Sequence, residues 1–126
     1  MSWVVDSSAW LEYFMKGRLS ERFAVFLDKA NPENYFTPAT VLFEVFKKIK
    51  KEHGEQTAAR YIAHIKGHTA IVAVTECIAL LAADASLNYK LAFADALVKA
   101  TADSLKAKLL TGDHHFKGLS NVELIE

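Results

Sequence analysis

The chain is poor in the residues that mark small secreted or disordered proteins. One cysteine, Cys77, excludes an internal disulfide and a cysteine-based zinc site; lying in an apolar run, it reads as a small buried residue. Two prolines and five glycines are too few for a low-complexity or disordered segment. No apolar run approaches the roughly 18 residues that cross a bilayer. A strand is expected within two residues of Met1, so no secretory leader is expected and a cytoplasmic location is. Net charge is also missing: 15 Lys and Arg balance 15 Asp and Glu. A protein that coats duplex nucleic acid by bulk charge is thereby excluded, and any nucleic-acid contact must come from local patches.

What is present is ordinary globular composition, 52% apolar and 24% charged, in a length that suits one domain over residues 1–126. SWVVD reads as a short buried strand and SSAWLEYF as a helix capped by Ser7 or Ser8. ERFAVFLDKA follows as a helix with Phe23, Phe26 and Leu27 on its core face. Tyr35 and Phe36 form a strand; Thr37 is then expected as N-cap and Pro38 as first helical residue of a helix that Gly54 ends. EQTAARYIAHIKG is a helix, TAIVAVT a strand, and ECIALLAADASLNY a helix capped by Thr75. A long helix over residues 91–108, the strand KLLTG and a last strand NVELIE complete the chain. Strands separated by helices, with no tight hairpin signal, predict crossover connections and a parallel sheet in a three-layer α/β/α sandwich.

Asp6 and Asp113 each follow an apolar strand. In open parallel sheets ligands collect beyond the carboxyl ends of the strands, where strand order reverses. Two helices offer further acids: Glu44 at the edge of the stripe Val41, Leu42, Val45, Phe46 and Ile49, and Asp95 on the flank of a face comprising Leu91, Ala94, Leu97, Val98, Thr101, Ala102 and Leu105. Singly, each has an ordinary reading. Glu44 can pair with Lys48 and Asp95 with Lys99, Asp6 can cap a helix, and Asp113 can sit in a turn. Jointly they suggest a crevice of carboxylates, which repel unless a cation screens them. Oxygen donors suit Mg²⁺ or Mn²⁺ and point to phosphodiester chemistry.

The stretches VVDSSAWLEYF, PATVLFEVFKKIK, LAFADALVKATA and LLTGDHHF, in that order, resemble those of PIN-domain ribonucleases, specifically VapC-type toxins of toxin–antitoxin systems. The resemblance implies a five-stranded parallel sheet in the order 3-2-1-4-5, which makes the strands ending at Asp6 and Asp113 neighbours. It implies a metal-dependent endoribonuclease acting on structured RNA such as tRNA or rRNA, an inhibitory antitoxin and a homodimer. Asp6, Glu44 and Asp95 would hold Mg²⁺ or Mn²⁺, with Asp113 supporting that ion or a second one. Thr111 matches the family's hydroxyl position, and Ser7 would orient Asp6 or a water. The alternative is a PIN-like module that binds RNA or protein without cutting.

Other features have two readings each. Lys47 to Lys51 either attract phosphate beside Glu44 or are a solvated helix end. Lys16, Arg18 and Lys117 are candidates for an RNA path. His114 and His115 are expected as exposed loop residues outside the site, Phe116 as core, and His53, His64 and His68 as incidental. Asp84 and Asp103 are expected on the surface. Trp10, Tyr13, Phe14, Phe23, Phe26 and Phe43 are expected mainly in the core, with some lining a groove for the antitoxin. A receiver-like domain would want paired acids after the first strand and a lysine after the last. A haloacid-dehalogenase-type phosphatase would want an aspartate where Ser8 stands.

Overall fold

The computed structural model describes residues 1–126. Its strands are β1 (Trp3–Val5), β2 (Tyr35–Pro38), β3 (Ala70–Val72), β4 (Lys108–Thr111) and β5 (Val122–Leu124). They form one sheet in the order β3-β2-β1-β4-β5, every neighbouring pair parallel. The helices α1 (Ser7–Phe14), α2 (Ser20–Leu27), α3 (Ala39–His53), α4 (Glu55–His68), α5 (Glu76–Tyr89) and α6 (Phe93–Ser104) supply the crossovers that parallel pairing requires. This is the expected α/β/α arrangement and strand order. No single helix is long and apolar enough to cross a membrane.

The central strands are apolar on both faces because helices flank the sheet, and Val4, Val5, Leu109 and Leu110 are fully buried. Trp10 and Phe14 stack in the same core at 5.3 Å between centroids, and Phe14 stacks on Tyr61 at 4.3 Å. Phe23 and Phe116 are fully buried, as expected, whereas Phe43 lies exposed on the surface of α3.

Local chemistry corrects several expectations. Neither Ser7 nor Ser8 caps α1; the N-cap position is Asp6, with no side-chain cap bond. Thr37 and Pro38 are the end of β2 rather than the start of a helix, and Pro38 occupies the N-cap position of α3 with extended backbone. Proline is tolerated there because β1 pairs with β2 only as far as Phe36, so no ladder donor is missed on that side. Thr37 is instead held in the core. The Thr69 hydroxyl donates to the Ile65 carbonyl, so Thr37 donates to Thr69 (2.8 Å) and accepts the Trp10 indole N–H (3.2 Å). Gly54 ends α3 as expected, at φ +89°, which favours glycine. Thr75 caps α5 by accepting the Ile78 N–H.

The long helix is shorter than expected, since Lys106 turns the chain at positive φ. It is also buried nearly all round, from Ala96 to Ala102, because it packs against α5 as well as β1 and β4. A one-faced pattern therefore mispredicts it: Leu105 is exposed and Lys99 is buried. Cys77 is likewise exposed on α5 rather than buried.

Candidate metal centre

The strand order reverses between β1 and β4, and the register pairs Val5 with Leu110. Asp6 continues β1 by donating its N–H to the Leu110 carbonyl at 3.0 Å, which sets its side chain beside Thr111. Asp6 is buried. Two hydroxyls donate to a single oxygen, Oδ2: Thr111 at 2.7 Å and Ser8 at 2.8 Å. With both protons committed there, each hydroxyl oxygen is left to accept. Ser8 accepts the Gly112 N–H at 2.9 Å and Thr111 accepts the Asp113 N–H at 3.0 Å. The carboxylate that follows β1 thus fixes the backbone that carries Asp113, and one hydrogen-bonded unit joins the two strand ends.

Asp113 in turn accepts the His115 N–H at 2.9 Å and caps the short 3-10 turn His114–Phe116. That turn folds His115 back over the acids, with Nδ1 at 3.2 Å from both Asp95 Oδ2 and Asp113 Oδ1. Ligand atoms of Asp95, Asp113 and His115 lie within 4.8 Å of one another. His115 is exposed, as expected, but it is part of the cluster from which the sequence reading left it out. His114 points elsewhere, to Glu126 at 3.3 Å.

Burial raises the pKa of Asp6, against the Thr111 and Ser8 hydrogen bonds, and Asp95 adds repulsion. Burial raises Glu44 too, reinforced by the charges of Asp6, Asp95 and Asp113 and opposed by the Ser7 hydroxyl. Asp95 is raised by burial and by Asp113, with His115 holding it down. These mutual effects mark the four carboxylates as electrostatic neighbours. The ordinary ion pairs do not form: Lys48 turns to Glu52 (2.9 Å) and Lys99 to Asp103 (2.6 Å). None of the four acids pairs with a lysine or arginine.

The structure brings together Asp6, Glu44, Asp95, Asp113, Ser7 and Thr111. Sequence reading missed Ser8 and His115. Ser7 and Ser8 are indistinguishable in DSS; the helix that starts at Ser7 sends Ser8 toward Thr111 and Ser7 toward Glu44. The donor set is oxygen-rich with one imidazole, which fits a divalent cation of the Mg²⁺ or Mn²⁺ kind.

A groove of about 400 Å³ beside Glu44 is lined by Ser7, Phe43, Lys47, Lys48 and Lys51, so part of the lysine run does border the acids. Lys16 and Arg18 lie beyond the opposite end of α1 from Asp6, in a cavity that includes none of the acids, and Lys117 faces Glu126. His64 and His68, both expected as incidental, lie one turn apart on α4 with rings stacked at 4.1 Å, and His64 meets the Phe14 ring edge-on. They join no third ligand of the kind gathered at Asp95.

The PIN domain family model matches residues 3–121, and the chain belongs to that family. Several solved structures are similar to it. A toxin–antitoxin complex from Klebsiella pneumoniae aligns at TM-score 0.79 and 24% identity, covering 97% of this chain and 96% of that one. VapC20 of Mycobacterium tuberculosis, a sarcin–ricin loop cleaving toxin, aligns at 0.80 and 20%, covering 98% of each chain. VapBC2 from Rickettsia felis, bound to a promoter DNA fragment, aligns at 0.76 and 14%, covering 99% of this chain and 98% of that one. No curated protein sequence matches.

Proposed function

We propose that the chain is a metal-dependent endoribonuclease that cleaves phosphodiester bonds of structured RNA and acts as the toxin of a toxin–antitoxin pair. The observation that carries this reading is four carboxylates at one topological switch point with no lysine or arginine to neutralise them. Membership of the PIN family supports a nuclease, and the similarity to toxin chains, one of them cutting an RNA loop, supports the toxin role.

Asp6, Glu44, Asp95 and Asp113, with His115, are the residues that would hold Mg²⁺ or Mn²⁺. When bound, such an ion neutralises the crowded charge and serves as a Lewis acid toward phosphate oxygen. The chain's own residues do the rest. Ser8 and Thr111 lock Asp6 and the Asp113 loop, so the donors are oriented before substrate arrives. Glu44 borders the lysine groove, so it would hold the cation on the side from which the phosphate backbone approaches. Lys47 and Lys51, which pair with no acid, draw the phosphate backbone toward it. A cognate antitoxin and a second copy of the chain are the expected protein partners. The uncovered side chains of Leu80, Leu81 and Leu87 on α5 support a protein contact there.

The test is cleavage of a mixed tRNA and rRNA pool in Mg²⁺, Mn²⁺ or EDTA, beside Asp6→Asn. Discrete cuts that require both the ion and Asp6 are the expected result. A folded, antitoxin-free preparation that cuts nothing overturns the enzyme in favour of a PIN-like binding module.

A further inference from the structure

Two large aromatic rings stand uncovered beside the acids. Phe43 is 65% exposed and Phe93 79% exposed, each next to or two residues from a site acid, Glu44 and Asp95. They border a single cavity of about 310 Å³, whose other walls are Thr40, Glu44 and Ala94. Phe43 also borders the lysine groove, with Lys47 Nζ 5.6 Å from its ring centroid. An apolar slot, a carboxylate of the acid cluster and unpaired lysines therefore meet at one side chain.

We infer that Phe43 and Phe93 form a stacking site for one unpaired base of the RNA, adjacent to the scissile phosphate. The inference rests on the ribonuclease reading and names the form of substrate it takes: a single-stranded or looped segment rather than a helix. The chemistry is that of single-strand recognition. Aromatic faces accept a base irrespective of its hydrogen-bonding edge, and neighbouring cations follow the backbone. In duplex RNA the bases are stacked on one another and cannot enter such a slot, so the ring pair selects strands whose bases can be splayed out. The size of the cavity is at the lower end of the range for small-molecule pockets, which suits one planar group. The occupant is nucleic acid rather than a protein side chain because Lys47 and Lys51, neither engaged by an acid, lie along the approach and attract phosphate, while Glu44 in the wall sets the slot beside the proposed cleavage site. Phe93 also borders the apolar hollow between α5 and α6, so a protein contact over α5 is the competing occupant that a test has to separate.

The test titrates the protein into a short RNA carrying 2-aminopurine, single-stranded or annealed to its complement, in EDTA, where no cleavage occurs and binding alone is read. Wild type, Phe43→Ala, Phe43→Trp and Phe93→Ala are compared, and their masses are measured by sedimentation. Stacking predicts quenching of the probe by wild type and Phe43→Trp. Each alanine variant should bind about 5- to 100-fold more weakly, with loss of quenching, at unchanged mass and with little discrimination against duplex RNA remaining. Alanine variants that bind and quench like wild type overturn the inference, and so does a drop in mass with unchanged RNA affinity, which would make the slot an interface between copies. Because binding is read without the metal, the two failures differ: loss of cleavage with quenching intact counts against the ribonuclease reading, and cleavage with quenching absent counts against the stacking site.

Discussion

Two aspartates eight residues apart on α6 meet opposite fates. Near the helix start, Asp95 is half-buried against Asp113, with only an imidazole beside it. Near the end, the more exposed Asp103 receives the buried Lys99 ammonium at 2.6 Å. The second arrangement is complete within the chain, because the lysine stem packs in the core while its head finds an anion. The first is incomplete, since three carboxylates are pushed up in pKa by burial and by one another. Burial does not distinguish a site from a structural pair here; unbalanced charge does.

The largest expected break in this comparison is kinetic. Asp95→Asn should lower RNA cleavage by roughly 100-fold or more, because the cation that would polarise the phosphate loses a carboxylate that would hold it. Asp103→Asn should leave the rate of the folded enzyme unchanged; single-turnover cleavage of one RNA by both variants checks this. Stability should show the reverse order. Asp103→Asn strands the buried Lys99 and should cost about 1–3 kcal/mol, whereas Lys99→Met should be close to neutral because it removes both the charge and its desolvation. Urea unfolding of the three proteins is the measurement.

Asp6→Asn should inactivate and stabilise at once. Native Asp6 binds its proton more tightly than the unfolded chain does, so its unfavourable contribution is absent below the ordinary value of 3.8 and grows as pH rises through the folded pKa. Both hydroxyl donors go to one carboxyl oxygen, so an amide oxygen can accept them unchanged. Without metal at pH 7, the variant should melt higher than wild type by about 3–6 °C per kcal/mol relieved. The gap should close on acidification toward pH 4, and scanning calorimetry across that range decides it. Smallest is His115→Ala. His115 holds Asp95 down, so its loss should move the acid limb of the cleavage profile to higher pH and weaken Mg²⁺ by about tenfold. A profile that stays in place would remove His115 from the site.

Much of the fold could be read from periodicity. The strands WVV and KLLT, the helix stopped by Gly54 and the Thr75 cap are local signals, and they appear as local structure. Thr37-Pro38 misled because the same pair suits a helix start and a strand end; the choice fell to the Trp10 indole and Thr69, far away in the chain. The face of α6 was misread for a similar reason, as a helix packed on two sides has no polar stripe. Among site residues, Asp6 and Asp113 stood out as acids after apolar strands, and Glu44 and Asp95 as acids flanking apolar stripes. Ser8 and His115 had no signal of their own.

Covalent order and side-chain chemistry alone dictate the alternation of strand and helix, the placing of acids at strand ends and the absence of any disulfide framework, because each depends on neighbours a few residues away. Which serine binds Asp6, which lysine is buried, and whether an acid meets a cation or another acid depend on contacts such as Thr111 to Asp6 and His115 to Asp95, across 105 and 20 residues. Those contacts exist only once parallel pairing has set β1 beside β4, and pairing at that range leaves no local pattern in the chain.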